Sequence, residues 1–432
     1  MFSGTPAYRG ARSMLPERLN ILFVAQTPAS PPRFGAQARM HGLMSKLARI
    51  HDLTAAVLVD EEFDAEECRR AMQAYCREVV LVPNPNVCAG VTKRLLQLRS
   101  LASTRSFERL SVTVPSLQRV LDRVLRTQRF DLVNLEFTFL GHCNLRQAPP
   151  GEMLPPLVVD SHNIDFDLAR QLARSGSFAR RLYYGANWRK LRREELGTYR
   201  TADGVYLCSA ADERRLLDEI PGLRTAVVPN AADVEYFQPR RTDPSPDGYT
   251  VVFFGTLSYA PNVDGVIHFV RDIWPRIAQV HPKARCKIVG GNPPPSVLAL
   301  AGPQIELTGF VSDLRPHLAA AAVVVVPLRL GGGTRLKVVE AMAMGKAIVA
   351  TALGAEGIEA ISGRDLLTED QPAAFADAVS RLLSEPGWAA SIGQSARNLA
   401  VERYSWSRAA EALDGFYRWV LEGDRRARAT TV

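Results

Sequence analysis

The chain has 432 residues, 47% of them hydrophobic and 23% charged, with a formal net charge of +8. It is too long for one ordinary core and suits two or three domains of about 100–200 residues each, and its composition excludes a mainly disordered chain. The positive charge favours anionic partners such as nucleotides, acidic lipid surfaces or phosphate-bearing acceptors, and is too small and dispersed to argue for nucleic acid.

Six cysteines (Cys68, Cys76, Cys88, Cys143, Cys208 and Cys286) form no C-x-x-C pair and are read as reduced thiols. The seven histidines lack ligand spacing with one another or with these cysteines, so no structural zinc is expected. The first seventeen residues hold no apolar signal-peptide core, and the longest apolar run, Leu318 to Leu328, falls short of a membrane span. A cytoplasmic protein is expected, with peripheral contact at the inner membrane face left open.

In chain order, Leu19 to Val24 reads as a strand, a turn follows to Gly35, and Met40, Leu43, Met44 and Leu47 repeat at helical spacing. Strands continue at 54–59, 78–82, 131–135, 157–160, 204–209 and 225–228, separated by segments long enough for crossover helices. The Pro- and Asp-rich stretch 238–248 interrupts this pattern, which then begins again with strands at 250–254, 286–289, 305–307, 323–327 and 347–351 and a helix containing Val266 to Ile277. The expected division is a flexible tail at 1–17, an N-terminal domain at 18–229, a linker at 230–249, a C-terminal domain at 250–407 and a flexible tail at 425–432. Two α/β halves in sequence place a cleft between them, and in open parallel sheets ligands gather at the carboxyl ends of the strands.

The segment L-R-L-G-G-G-T-R-L-K-V-V-E-A-M-A-M-G follows the β-branched run Val323 to Val326. Gly331, Gly332 and Gly333 open a turn, Thr334 is expected to cap a helix of about ten residues, and Gly345 to close it. Arg335 and Lys337 fall at the start of that helix, where the backbone dipole disfavours cations unless an anion is present. Glycine amides, helix end and two cations together suit a diphosphate, and Glu340, one turn on, suits a ribose diol. A plain turn with solvated cations is the alternative. The segment matches neither the Walker pattern nor G-x-G-x-x-G.

Together with V-V-P-N-A-A-D-V-E-Y-F and T-G-F-V-S-D-L, this segment resembles glycosyltransferase family 4, and the likeness runs from Asn20 to about Tyr417. The resemblance implies the α/β GT-B architecture: two Rossmann-like parallel-sheet domains facing a cleft, with a C-terminal helix at about 408–424 returning to the N-terminal domain. It also implies a nucleotide-sugar donor, of UDP type, held mainly by the C-terminal domain. Metal-independent transfer with retention, to a saccharide, lipid-linked or small-molecule acceptor, follows from the same likeness, with no cofactor because the nucleotide sugar is a substrate.

Family members usually carry two glutamates spaced E-x7-E. Glu340 matches the second, but the first falls at Gly332, which leaves the grip on the donor hexose open. The family's arginine and lysine after the first C-domain strand are also missing from G-T-L-S-Y-A-P-N-V-D-G, and Arg335 and Lys337 are expected to replace them. By the same resemblance Gly35, Gly255 and Thr256 lie beside the donor phosphates and Gly309, Phe310 and Val311 meet the base. His162 orients or shields the transferred sugar without acting as base, and Asn230 and Asp233 form an interdomain corner.

Asp165 and Asp167 form a D-x-D that is expected to cap the following helix rather than hold a metal. The basic, aromatic stretch from Phe178 to Arg193 suits an anionic membrane or lipid-linked acceptor, or else a solvated basic face with its aromatics turned inward. A nucleotide-sugar epimerase and a catalytically silent nucleotide-sugar-binding protein remain as other readings.

Overall fold

The computed structural model describes residues 15–86, 90–174, 178–240 and 246–429. Most of the expected N-terminal tail, the end of the C-terminal one, positions 241–245 of the expected linker and Cys88 lie outside the described residues. The other five cysteines are free thiols.

The first seven strands are β1 (Asn20–Ala25), β2 (Asp52–Val59), β3 (Glu78–Pro83), β4 (Leu132–Glu136), β5 (Leu157–Ser161), β6 (Gly204–Leu207) and β7 (Thr225–Val227). They form one parallel sheet in the order β3-β2-β1-β4-β5-β6-β7. A second parallel sheet contains β8 (Thr250–Phe254), β9 (Arg285–Val289), β10 (Ile305–Gly309), β11 (Val323–Val326), β12 (Ile348–Ala350) and β13 (Leu367–Thr368), in the order β10-β9-β8-β11-β12-β13. Helices cover both faces of each sheet, so the central strands such as β1, β8 and β11 read as nearly unbroken apolar runs. In β11, for instance, Val324 and Val326 pack into one core and Val323 and Val325 into the opposite one. The two-residue β13 is too short to show a period and was missed in the sequence.

The C-terminal helix, Trp406–Ala429, returns to the first sheet, burying Trp406, Leu413, Phe416, Tyr417 and Val420 against Leu19, Phe23 and Tyr206. This is the expected two-sheet GT-B arrangement. One expected helix is broken: Val266 to Ile277 divides into Ala260–His268, a π turn at Phe269–Ile273 and Trp274–Val280. Pro275 has no N–H to donate back along the helix, and the wider turn before it accommodates the missing bond.

In both sheets the strand order reverses after the first strand, between β1 and β4 and between β8 and β11. Ligands bind at the carboxyl side of such switch points. Gly35 follows β1, Gly255 follows β8 and the glycine turn follows β11, so the candidate site collects there.

Candidate functional site

The helix after the glycine turn spans Leu336–Ala343, and Gly345 closes it in the left-handed region at φ +65°. Arg335, not Thr334, occupies the N-cap position, and no side chain caps the first turn. The Thr334 hydroxyl instead donates across the cleft to the carbonyl of Cys208, just past β6. This corrects the expected cap: the hydroxyl is buried at a contact between lobes, where the nearest acceptor belongs to the other domain.

The turn itself is docked on the N-terminal lobe. Gly331 N donates to Gln171 Oε1 at 3.0 Å and the Gly331 carbonyl accepts from Gln171 Nε2 at 3.4 Å. The Asn163 amide donates to the Gly332 carbonyl at 3.0 Å. Gly333, at φ +74°, has the Asn163 side-chain amide and the His162 carbonyl 3.0 and 3.1 Å from where a Cβ would stand, so only glycine fits. The three glycine amides are therefore not all bare, as expected from sequence. Gln171 takes that of Gly331, while those of Gly332 and Gly333 make no backbone bond among the described residues.

Arg335 is 8% exposed, and its Nη1 donates back to the Gly332 carbonyl. Its Nε and Nη2 are buried with no hydrogen-bond partner among the described residues. Lys337 is partly buried; its Nζ donates to Asn262 Oδ1 at 2.7 Å and stands 4.3 Å above the Phe253 ring. Neither cation forms an ion pair among the described residues. Burial, and then the neighbouring Arg335 charge, lowers Lys337 to about 7. Burial raises Glu340 to about 7, against the opposing pull of Lys337. Desolvation also lowers Arg335. The charges of Glu356 and Asp212 reach Arg335 and that of Glu340 reaches Lys337 without pairing with them, and two adjacent cations held out of water without a paired carboxylate are costly unless an anion joins them.

Asn262 was not singled out by the sequence, because nothing seven residues past Gly255 marks it. Its Nδ2 donates to the Thr256 carbonyl at 2.8 Å, which turns its oxygen towards Lys337. Gly255 leaves room for both: a Cβ there would fall 2.8 Å from Lys337 Nζ and 2.9 Å from Asn262 Nδ2, and its φ of +141° excludes L side chains. Gly255→Ala is expected to push Lys337 aside and lower UDP affinity at least tenfold while leaving the second sheet folded. Wild-type affinity in calorimetry would show that Lys337 does not depend on this gap. On the other lobe, a Cβ on Gly35 would meet Leu336 Cδ1 at 3.1 Å, so Gly35 borders the same helix start.

His162 lies just past β5 and is 6% exposed. Its carbonyl borders Gly333, but its ring turns inward: Nε2 is 2.8 Å from Glu136 Oε2 and 3.4 Å from Asp160 Oδ2, and the ring stacks on Phe137 at 3.9 Å. Phe137 holds φ +66° and ψ 149°, a region nearly reserved for glycine that costs about 1–3 kcal/mol. This strained aromatic under the histidine was invisible in sequence.

A buried chain of polar contacts runs through this point. Tyr417 donates to Asn134 Oδ1 at 2.9 Å, Asn134 Nδ2 donates to Glu136 Oε1 at 2.9 Å, and Glu136 meets His162. Asp160 accepts from Arg39 Nε and Nη2 at 2.8 and 3.0 Å, and Arg39 Nη1 donates to Asn230 Oδ1 at 3.1 Å. Asn230 Nδ2 then donates to the Thr334 carbonyl at 2.7 Å, joining the network to the glycine turn. Asn230 is thus the interdomain link expected of its corner, while Asp233 accepts from the Glu235 and Tyr236 amides and its charge reaches His41 of the N-terminal lobe.

Burial and the Asp160 charge raise Glu136 above the usual carboxylate range, against the His162 hydrogen bond. Glu136, Asp160 and His162 place three ligand-type atoms within 4.8 Å of one another. Both Asp160 oxygens are engaged by Arg39 and both Glu136 oxygens by Asn134 and His162, so the trio fits an ion-pair network better than a metal centre.

Asp165 and Asp167 stand in the first turn of the helix Asp165–Arg174, but they do not cap it. The first amides donate to Glu195 from the helix Phe178–Thr201, Asp165 N at 3.2 Å and Phe166 N at 2.9 Å. The capping carboxylate comes from a residue thirty positions away, beyond the reach of local spacing. At the end of β10, Gly309 adopts φ +73°, Phe310 is 71% exposed and Val311 packs beside the second core.

Residues 248–385 match the family described as glycosyl transferases group 1. Over 247 residues the chain is 28% identical to D-inositol 3-phosphate glycosyltransferase of Frankia alni, a match covering half of this chain and 58% of that protein. Similar solved structures include sucrose-phosphate synthase of Thermosynechococcus elongatus, with TM-score 0.71, 18% identity and coverage of 94% of this chain and all of that one. HepE of Anabaena in complex with UDP-glucose has TM-score 0.63 and 17% identity, and WaaG, a glycosyltransferase involved in lipopolysaccharide biosynthesis, has TM-score 0.63 and 13% identity. Each of these two matches covers 92% of this chain and 99% of the other. Among the described residues no helix is long and apolar enough to cross a membrane. Motifs, the match over residues 248–385 and the two-sheet fold together make this chain similar to the GT4-like glycosyltransferases, with their GT-B architecture.

Proposed function

We propose that this chain transfers a sugar from a UDP-type nucleotide diphosphate donor to a hydroxyl group of a saccharide, lipid-linked or small-molecule acceptor, with retention and without a metal. One observation carries the reading: Arg335 and Lys337 stand together, with no ion pair among the described residues, at an uncapped helix start between two sheet ends. A diphosphate supplies the absent charge. Glu340 receives the ribose diol, and the turn at Gly309, Phe310 and Val311 meets the base.

As the bond from the anomeric carbon to the diphosphate oxygen breaks, Arg335, Lys337 and the amides of Gly332 and Gly333 neutralise the charge gathering on the leaving UDP. The acceptor oxygen approaches from the N-terminal lobe on the face the diphosphate leaves, and its proton passes to the departing diphosphate oxygen as the new glycosidic bond forms. His162, held by Glu136 and Phe137, borders the turn from below. Calorimetry with UDP, followed by product analysis of UDP-sugars with and without an acceptor, tests the reading. Binding with slow donor hydrolysis agrees with it; no UDP binding would overturn it, and an epimerised nucleotide sugar from donor alone would replace it with an epimerase.

The lowered Lys337 gives the binding a pH signature. From about pH 7 up to its ordinary 10.5, the unfolded lysine holds a proton that the folded one has lost, so this group makes the folded state more stable as pH rises. Glu340 acts in the other window: between 4.5 and about 7 the folded carboxyl keeps a proton that the unfolded one has lost, and stability falls as pH rises. The pair therefore stabilises least near neutrality, where an incoming diphosphate recharges the lysine. UDP binding at about pH 8 is expected to take up about one proton, read by calorimetry in buffers of different ionisation enthalpy. The same uptake in Lys337→Gln would show that another group is responsible.

A further inference from the structure

We infer that the N-terminal lobe carries a docking surface for an anionic lipid bilayer, formed by the outer face of the helix Gly90–Ala102 with the start of the helix Phe178–Thr201. The inference does not rest on the transfer reaction. Two long stretches of the chain contain no carboxylate: none falls between Glu78 and Glu108, and none between Asp167 and Glu194. The first stretch carries Lys93, Arg94, Arg99 and Arg105, and the second adds eight more cations.

The structure brings the two stretches side by side. Lys190 Nζ donates to the carbonyls of Ser100 and Leu101 at 2.5 and 3.4 Å, and Arg193 donates to that of Thr104, closing the end of the Gly90–Ala102 helix. The aromatics Tyr184 and Trp188 turn inward onto the first sheet's core, as one of the two sequence alternatives has it. What remains outside is apolar as well as basic: Leu95 is 61% exposed, Leu98 63%, Leu101 46%, Phe178 81% and Leu182 67%. Lys93, Arg94, Arg99 and Arg181 are exposed around them. Leu95, Leu98 and Leu101 recur every three residues on the outer side of a helix whose Ser100 is buried, so they form a ridge that none of the described residues covers. Exposed leucines beside cations, on stretches of chain that carry no carboxylate of their own, match a bilayer's two chemistries, acyl chains beneath anionic headgroups.

The test is co-sedimentation of the full chain with phosphatidylcholine vesicles, with and without about one-third phosphatidylglycerol. Binding to the anionic vesicles alone is expected. Arg94→Gln and Arg99→Gln should each weaken partition about fivefold, and Leu95→Asp with Leu98→Asp at least tenfold, at an unchanged thermal midpoint. No binding to anionic vesicles at low salt would overturn the inference. So would undiminished binding in the Leu95→Asp, Leu98→Asp variant that soluble heparin displaces, since that marks a polyanion site needing no acyl chains.

Discussion

Arg335→Ala is expected to make the free protein more stable and its donor binding weaker. Nε and Nη2 of Arg335 are buried with no acceptor, and each unsatisfied polar group of this kind costs about 1–3 kcal/mol. Truncation removes that cost at the expense of some packing by the aliphatic stem, so the thermal midpoint should rise by about 2–4 °C for each kcal/mol gained. UDP affinity should fall about 10- to 150-fold, because a hydrogen bond to a charged group contributes about 1.5–3 kcal/mol. Lys337→Ala should move both quantities in the same directions. A purely structural arginine would give the opposite pattern, with stability lost and nucleotide binding kept. Unchanged UDP affinity in both variants would remove the two cations from the donor site.

Arg39→Ala is expected to cause the largest loss of stability. Arg39 and Asp160 are 1% and 0% exposed, joined by two hydrogen bonds, and the guanidinium also lies 5.6 Å from the centre of the Tyr206 ring. Removing one partner strands the other as an uncompensated buried charge, at a cost of about 3–5 kcal/mol, which for a domain of this size lowers the midpoint by about 10 °C. Arg39→Met combined with Asp160→Leu should recover much of that loss, since an apolar pair of similar volume needs no counter-charge. The double variant also separates two roles. If it folds but binds UDP poorly, the link from Arg39 through Asn230 to Thr334 positions the glycine turn; if it folds and binds normally, that link serves stability alone. A single Arg39→Ala within about 1 kcal/mol of wild type would contradict the burial of the pair.

The central strands were legible because they are short apolar runs between turn residues, and a sheet buried on both faces writes that pattern directly into the sequence. Val323 to Val326 and Thr250 to Phe254 needed no tertiary information. The glycine turn was legible for a different reason: positive φ at Gly331, Gly333 and Gly345 is a local backbone demand that only glycine meets cheaply. Arg335 and Lys337 stood out because cations at a helix start contradict the local dipole.

The sequence by itself determined two parallel-sheet lobes, the glycine turn and the cations at its helix. Tertiary structure alone decided what those groups touch. Gln171 takes the Gly331 amide, Thr334 binds the Cys208 carbonyl instead of capping, Glu195 caps the helix that Asp165 opens, and Asn262 holds Lys337. Each of these partners lies 29 to 160 positions away in the chain. Local propensity acts over a turn or two, whereas a buried polar group takes whichever acceptor the folded lobes bring within about 3 Å.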